Sequence, residues 1–344
     1  MSNEISVSVL IPVYNVADKV EKCLSSLFEN DIIEKCEVIV VNDCSTDNSL
    51  EIIEDFMLKN PSCKIRLINH KKNMGLACAR ITAFSAAKGD YIICVDSDDW
   101  VEKTYLSDLY NLALKTNADI VGCDAYIDFP NGKQIISHEK LSESGRECIK
   151  NIFMNKTHGF LWIKMFRRKF AVENNVVWIP GINMLEDIVF DVQLFYSAKE
   201  ISYIEKPLYH YVQNNGSYMN SKVDLNKAEQ LVSAMDFIQN FLLSNNDSEL
   251  LESLKIEKLY TKLIVLLGGT KEVRQKYISI WTDCNSRLKK LNRSFFVKMI
   301  LSAYGKSEKT AGLLLETYLM VANLYRKMRK LLGKKDKLGE KELW

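Results

Sequence analysis

The hydrophobic positions between residues 5 and 107 follow two alternating patterns. Short runs rich in β-branched and other apolar residues predict four buried strands, at residues 5–12, 36–41, 64–69 and 91–95. Between these runs, apolar side chains recur at helical spacing and predict three helices, at residues 16–30, 50–58 and 76–88. Strands of this kind, separated by helices, predict a parallel sheet that is covered by helices on both faces.

The character of the chain changes near residue 220. Before that point, two more helices and two more strands are predicted, at residues 105–115, 187–198, 120–129 and 201–211. Beyond it, leucine-rich helical periodicity continues nearly to the end, with hardly any strand character. We therefore predict two domains, an α/β domain at residues 1–220 and a helical C-terminal region at residues 221–344.

The composition narrows the classes of function that this chain can have. Its 344 residues are 47% hydrophobic, which is enough for a large core, and its net charge of +2 gives no overall field for nucleic-acid binding. The nine cysteines include no C-x-x-C pair, which argues against a zinc ribbon or a redox dithiol and favours reduced thiols. The sequence has neither a signal sequence nor the roughly 18–20 consecutive apolar residues of a membrane span, so we expect a cytoplasmic protein.

The turn after the first strand lacks the glycines with which a backbone can bind phosphate. Residues 13–16 (V-Y-N-V) follow that strand, so neither a dinucleotide-binding fingerprint nor a P-loop is present there. A nucleotide bound at this edge of the sheet would therefore need a metal ion as its counter-charge.

The acidic stretch at residues 95–100 (V-D-S-D-D-W) is the candidate site for such an ion. Asp98 can present carboxylate oxygens to a Mg²⁺ or Mn²⁺ ion that bridges a diphosphate. The alternative is that Asp98 or Asp99 caps a helix that begins near Val101. Because three carboxylates within four positions repel one another unless a cation compensates them, we favour the metal site.

Five segments of the chain, taken in order, carry a resemblance to a known family. They lie at residues 8–15 (S-V-L-I-P-V-Y-N), 40–47 (V-V-N-D-C-S-T-D), 73–80 (N-M-G-L-A-C-A-R), 95–100 (V-D-S-D-D-W) and 185–190 (L-E-D-I-V-F). In this order they resemble the family 2 inverting glycosyltransferases, which have the α/β GT-A fold. One departure follows the arginine of the third segment, where the family often has an asparagine and then a glycine and this chain has Ile81, Thr82 and Ala83.

The resemblance implies a nucleotide-sugar site at the ends of the first four strands. The residues that it places there are Pro12, Tyr14, Asn15, Asp43, Asn73, Gly75, Arg80, Asp96 and Ser97. Pro12, Tyr14 and Asn15 would line the nucleoside pocket. Asp43 would accept a hydrogen bond from the base, such as a uracil N–H, and Arg80 would be the charged partner of the nucleotide. The alternatives are a helix-capping turn around Asp43 and a solvated surface position for Arg80.

The pair Glu186–Asp187 supplies the candidate catalytic carboxylates. The resemblance implies that Asp187 takes the proton of an acceptor hydroxyl as its oxygen attacks the anomeric carbon, while a metal ion stabilises the departing diphosphate. The alternative is a favourable placement of acids at a helix N-terminus, which would also keep Asp187 ionised. If Asp187 is not the base, Glu186 is the next candidate.

The resemblance also implies residues on the acceptor or diphosphate side of the site, namely Trp162, Lys164, His210 and Ser217. Trp162 would be a stacking platform for the acceptor, and Lys164 or Arg167 would lie near phosphate. Core packing is the alternative for Trp162, and a purely structural role is the alternative for His210.

The end of the chain carries a basic amphipathic pattern. Residues 312–332 place apolar side chains near helical spacing, and seven lysines and arginines crowd residues 326–337. Such a helix can lie peripherally on an anionic membrane. The alternative is a solvated helix that packs on its own domain or on a second subunit of a homodimer.

We therefore expect an inverting transfer of a sugar from a nucleoside diphosphate donor, with UDP preferred, to an acceptor hydroxyl, with Mn²⁺ or Mg²⁺ as cofactor. By resemblance, the acceptor is a bacterial surface polysaccharide or its lipid-linked precursor. Two alternatives stay open. A sugar nucleotidylyltransferase would have a glycine-rich loop after the first strand, and a non-catalytic nucleotide-sugar-binding module would not need Asp187.

Overall fold

The computed structural model describes residues 5–213, 222–304, 309–310, 312–318 and 320. The chain divides into two compact units, the first comprising Met1–Ser221 with Gln230–Ser253 and the second Lys222–Glu229 with Leu254–Trp344. Residues 230–253 thus group with the first unit, although the sequence pattern assigns them to the helical C-terminal region. The predicted basic tail beyond residue 320 lies outside the described residues.

The first half of the first unit is a parallel α/β arrangement, as the hydrophobic pattern predicts. Its strands are β1 (Val7–Val13), β2 (Cys36–Asn42), β3 (Ile65–Asn69) and β4 (Tyr91–Cys94), which lie in the order β3-β2-β1-β4. The connecting helices are α1 (Val20–Phe28), α2 (Ser49–Lys59) and α3 (Leu76–Ala86). Every residue of β1, β2 and β4 is buried, which explains their continuous apolar runs.

The second half of this unit extends the sheet with strands of both directions. It contains β5 (Trp100–Val101), α4 (Tyr105–Thr116), β6 (Ile120–Asp128), β7 (Gln134–Ser137), α5 (Gly145–Phe153), β8 (Lys164–Arg167), α6 (Arg168–Glu173), α7 (Glu186–Ser197) and β9 (Ile201–Val212). Strand β8 pairs antiparallel with both β4 and β6, and β9 runs parallel to β6. The register of β9 shifts around Pro207, which has no N–H to donate to the ladder. The sheet is therefore mixed, and the α/β class is confirmed.

The helices α8 (Leu225–Ser244) and α9 (Ser248–Gly268) come next, and each contributes residues to both units. The second unit also contains α10 (Lys271–Tyr277), a 3-10 helix at Thr282–Lys290, and α11 (Phe295–Tyr304). Its core includes Leu259, Val265 and Leu301. In the part of the chain that the structure describes, no helix is both long enough and apolar enough to cross a membrane.

Candidate active site

The candidate site residues follow the strands β1, β2, β3 and β4, whose carboxyl ends meet at one edge of the sheet. The register pairs Val13 with Asn42 and Asn42 with Asn69, so the segments that follow these strands begin side by side. In parallel α/β sheets, this is the edge at which ligands bind.

Hydrogen bonds between side chains and backbone connect the first two of these segments. Asn15, which has a positive φ of 54°, accepts a hydrogen bond from the backbone N–H of Thr46 at 2.7 Å. Asp47 accepts another from the backbone N–H of Ala17 at 3.0 Å. Asn15 therefore organises the backbone of the site, while the neighbouring Tyr14 leaves its side chain 47% exposed at the edge and Pro12 is buried within β1.

Asp43 organises the segment that leads from β3 into α3. Its Oδ1 accepts a hydrogen bond from the backbone N–H of Met74 at 2.9 Å, and its Oδ2 accepts one from Gly75 at 2.7 Å. His70 Nδ1 lies 2.6 Å from the same carboxylate, and His70 Nε2 lies 2.9 Å from Thr82 Oγ1. Thr82 belongs to the departure from the family pattern, and no sequence motif indicated that His70 would contact Asp43.

Gly75 is required at the start of α3 for two separate reasons. Its φ is +86°, a conformation that L-residues rarely adopt, and a Cβ at this position would lie 2.5 Å from Asn183 Nδ2. Asn183 Oδ1 accepts a hydrogen bond from the backbone N–H of Ala77 at 2.9 Å, so it satisfies the first turn of α3. The sequence pattern did not identify Asn183, because it lies 106 residues from Ala77 in the chain. Asn73 is exposed.

Arg80 joins two acidic segments that are far apart in sequence. Its Nη1 donates to Glu186 Oε1 at 2.7 Å and its Nη2 donates to Asp96 Oδ1 at 3.0 Å. The residue is only 2% exposed, and its Nε has no partner among the described residues. The guanidinium therefore lies between two carboxylates, and its burial excludes the solvated surface position that was the alternative for Arg80, while its role as a charged partner of the nucleotide stays a prediction.

The three aspartates after β4 have different environments. Asp99 is buried and accepts hydrogen bonds from the Tyr209 hydroxyl at 2.9 Å and from the backbone N–H of Val212 at 2.8 Å. Burial, together with the charges of Asp98 and Asp96, raises the pKa of Asp99 well above its usual value. The helix-capping alternative is wrong, because α4 begins at Tyr105 and the residue at its N-cap is Thr104.

The aspartate stretch fits a cation that is shared with a substrate. Among the described residues, no three His, Cys, Asp or Glu side chains are grouped closely enough to hold a metal ion by themselves. Asp98 is half-buried after β4, and Ser97 beside it is buried. Mg²⁺ and similar cations bind commonly through one or two carboxylates and complete their coordination with substrate phosphates and water. The hard oxygen ligands of this stretch therefore fit a cation held jointly with a diphosphate.

Glu186 and Asp187 form the first turn of α7, beside Arg80. Burial raises the pKa of Glu186 to about 7, with the Asp187 charge adding to this effect and Arg80 opposing it. Burial also raises the pKa of Asp187, again against the charge of Arg80. The helix N-terminus was expected to keep Asp187 ionised, and burial outweighs this effect. The raised pKa makes this carboxylate a stronger base.

Lys164, predicted to lie near phosphate, is paired inside the protein. The side chain is fully buried, and its Nζ donates to Asp191 Oδ2 at 2.7 Å and to the Phe160 carbonyl at 2.5 Å. Burial raises the pKa of Asp191 to about 7, and Lys164 opposes this rise. Asp191 lies one turn after Asp187 on α7, so the ion pair anchors the helix that carries the candidate base.

Two aromatic residues of the predicted acceptor side are also internal. Trp162 is 4% exposed and stacks on Tyr209 with ring centroids 4.2 Å apart, which supports the core alternative. His210 stacks on Trp100 at 3.3 Å, and its Nδ1 lies 3.0 Å from Asp128 Oδ2, which supports its structural alternative. Ser217 lies outside the described residues.

Comparison with known proteins finds a matching family model and similar proteins. Residues 8–173 match the family described as glycosyl transferase family 2. The cholesterol galactosyltransferase of Borreliella burgdorferi is 29% identical over 315 residues, which cover 88% of this chain and 84% of that protein. EpsH of Bacillus subtilis, a provisionally assigned glycosyltransferase, is 32% identical over 213 residues, which cover 60% of each chain.

A solved structure extends the likeness to nearly the whole chain. The structure of Staphylococcus aureus TarS 1–349 in complex with UDP-GlcNAc has a TM-score of 0.66 and is 21% identical. The match covers 96% of this chain and 93% of that one. At this identity the likeness concerns the fold, and it confirms the GT-A fold that the sequence predicts.

The double role of Gly75 can be tested by an alanine substitution with a matched control. Gly75→Ala combines an unfavourable φ with a clash against Asn183, whereas Gly181→Ala has the same φ of +86° with no atom within 4 Å. We expect Gly181→Ala to cost about 1–2 kcal/mol of unfolding free energy and Gly75→Ala to cost at least about 1 kcal/mol more. Urea unfolding measures both, and equal losses would show that the Asn183 contact is unimportant.

The Arg80 bridge predicts a pH-dependent loss of stability. Arg80→Met leaves two carboxylates without their cation and should cost about 3–5 kcal/mol. Since the pKa of Glu186 rises from 4.5 to about 7 on folding, its ionisation destabilises the folded state as pH increases. Without Arg80 this pKa rises further, so the stability difference from wild type should widen as pH increases past about 7.

The control for this experiment is the double variant Arg80→Met/Glu186→Gln, in which the titrating carboxyl is removed. Urea unfolding across this pH range should show that the double variant recovers part of the lost stability and loses the widening. A pH-independent difference for Arg80→Met alone would contradict the coupling between Arg80 and Glu186.

Proposed function

We propose that the protein transfers a sugar from a nucleoside diphosphate, with UDP preferred, to an acceptor hydroxyl with inversion, and the match of residues 8–173 to glycosyl transferase family 2 supports this reaction. The observation that carries this proposal is the Arg80 bridge. It holds the aspartate stretch after β4 beside the carboxylates of α7, which supports a site in which the proposed donor-binding group and the proposed base are neighbours.

The donor would lie along the strand ends, with its nucleoside near Tyr14 and its diphosphate near Asp98. Asp43 is our proposed acceptor for a base N–H, since its Oδ2 receives a single hydrogen bond from the protein, from Gly75. Asp98 would hold a Mn²⁺ or Mg²⁺ ion, which when bound supplies positive charge to the departing diphosphate. Complexes of TarS with UDP and UDP-GlcNAc support a UDP-sugar as the donor class.

Asp187 is the proposed general base. Glu186 already accepts a charge-assisted hydrogen bond from Arg80 at 2.7 Å, whereas the Asp187 carboxylate accepts one from the neighbouring backbone N–H of Ile188. Asp187 would take the proton of the acceptor hydroxyl as the hydroxyl oxygen bonds to the anomeric carbon. The bond from that carbon to the diphosphate breaks on the opposite face, and the configuration inverts.

The proposed acceptor is a saccharide or a lipid-linked saccharide of a bacterial surface polymer. Among the relatives, the poly(ribitol-phosphate) beta-glucosyltransferase of Bacillus spizizenii supports a polymer acceptor, and the cholesterol galactosyltransferase of Borreliella burgdorferi supports a lipid one. All nine cysteines are free thiols, which supports the cytoplasm as the proposed compartment. The nucleotidylyltransferase alternative is disfavoured because the turn after β1 is occupied by Asn15 and its partners rather than by a glycine-rich loop.

The metal proposal predicts that UDP binding depends on Asp98. In calorimetric titrations, wild type should bind UDP more tightly with Mn²⁺ than with EDTA. Asp98→Asn should lose this enhancement and should bind UDP at least about tenfold more weakly than wild type in Mn²⁺, because the diphosphate lacks its counter-charge. The control is Asp55→Asn, an exposed aspartate on α2. An unchanged Mn²⁺ enhancement in folded Asp98→Asn protein would refute the assignment.

The base proposal predicts a loss of turnover with little change in donor affinity. A panel of nucleotide sugars is first screened for hydrolysis or transfer, and NMR of the product checks inversion. Asp187→Asn should then reduce turnover by roughly 10² to 10⁴, the usual contribution of a positioned general base. Near wild-type turnover of Asp187→Asn would show that another residue is the base. If wild type turned over no nucleotide sugar, the result would favour the non-catalytic binding module.

A further inference from the structure

The second unit carries a basic surface formed by the end of the 3-10 helix Thr282–Lys290 and by α11. Residues 284–307 contain no acidic residue and six basic ones, namely Arg287, Lys289, Lys290, Arg293, Lys298 and Lys306. We define the basic surface by four of its described members, Lys289, Lys290, Phe295 and Lys298. Among the described residues, no carboxylate lies within ion-pairing distance of its three lysines.

An apolar groove lies within the basic surface. Its volume is about 600 Å³, and its apolar lining comes from Leu288, Phe295, Met299 and Ala303. Phe295 is 82% exposed, which is unusual for a phenylalanine in a folded protein. The opposite face of α11 is already packed, since Val297, Ile300 and Leu301 are buried. The helix therefore presents the exposed Phe295 and the groove beside it as a second apolar face, which Lys289 and Lys298 border.

The positive charge of the basic surface indicates which class of partner can bind there. Residues 321–344 carry eight basic and three acidic residues, so like charge disfavours this segment as the occupant. A second copy that docked by the same face would bring lysines against lysines. The occupant must therefore be anionic, and the groove with Phe295 requires that it also accept apolar side chains. A nucleic-acid backbone meets the first requirement, whereas an anionic lipid bilayer meets both.

We propose that the basic surface docks the protein on an anionic lipid bilayer. Phe295 and the groove enter the interfacial layer, while Lys289, Lys290 and Lys298 lie among the head groups. None of these residues belongs to the proposed active site, so membrane docking and sugar transfer can fail independently. If the proposed function holds, docking would bring the first unit, which carries the proposed active site, to the membrane, where a lipid-linked acceptor would be found.

The test is co-sedimentation of the full chain with vesicles of phosphatidylcholine alone and of phosphatidylcholine with phosphatidylglycerol. Wild type should bind only the anionic vesicles, and added salt should weaken the binding. The triple variant Lys289→Glu/Lys290→Glu/Lys298→Glu should bind about a hundredfold or more weakly, since each lysine contributes about fivefold near an anionic surface. Phe295→Ser should weaken binding at every salt concentration.

Two matched triple variants complete the experiment. Lys59→Glu/Lys115→Glu/Lys169→Glu changes three exposed lysines of the first unit and should bind vesicles as wild type does. Lys330→Glu/Lys334→Glu/Lys335→Glu makes an equal change in net charge in the C-terminal tail. The proposal is overturned if the tail variant abolishes binding while the basic-surface variant binds normally, or if wild type binds neutral vesicles equally well. Circular dichroism and nucleotide-sugar turnover show whether each variant is folded.

Discussion

The buried guanidinium of Arg80 is the interaction on which the candidate site depends. It is held between Asp96, at the end of β4, and Glu186, 106 residues further along the chain from Arg80. A buried cation is tolerated only when anions compensate it, and the buried carboxylate of Glu186 likewise needs the cation, whereas Asp96 is half-buried. The three charges are therefore mutually required, and satisfying them forces the start of α7 against the carboxyl ends of the parallel strands.

Other buried polar groups fix the elements around this bridge. Lys164 and Asp191 pair inside the first unit and hold α7 one turn beyond Asp187. Asp43 holds the start of α3, the helix that carries Arg80. Tyr209 contacts both the backbone of Asp96 and the carboxylate of Asp99. Each of these groups contributes its charge or hydrogen bond to the structure of the site, and the proposed roles of Asp98 and Asp187 rest on their positions after β4 and in the first turn of α7.

The spacing of apolar residues along the sequence predicted the first half of the fold well. Four strands and three helices alternate as their apolar spacing indicates, because each buried strand and each amphipathic helix depends on nearby residues. The antiparallel insertion of β8 between β4 and β6 was not predictable in this way, since strand pairing is decided by contacts between distant segments. For the same reason, Asn183 and His70 were not identified.

For the candidate site, too, the sequence could not predict contacts between distant segments. The order of motifs predicted which segments meet at the strand ends, but it could not distinguish a side chain that faces a ligand from one that pairs internally. Lys164 and Trp162 have the residue types of an acceptor site, yet burial and the partners Asp191 and Tyr209 account for both. Arg80 lies at the predicted edge, but its partners are carboxylates of the chain itself.

A crystal structure of the protein with UDP and Mn²⁺ tests this account most directly. We expect Mn²⁺ on Asp98 and the diphosphate, with Arg80 still bridging Asp96 and Glu186 and with Asp187 on the acceptor side of the site, opposite the leaving group. If Arg80 instead leaves both carboxylates to contact the diphosphate, or if Mn²⁺ lies on Glu186 and Asp187 with Asp98 unbound, the bridge is not the element that organises the site.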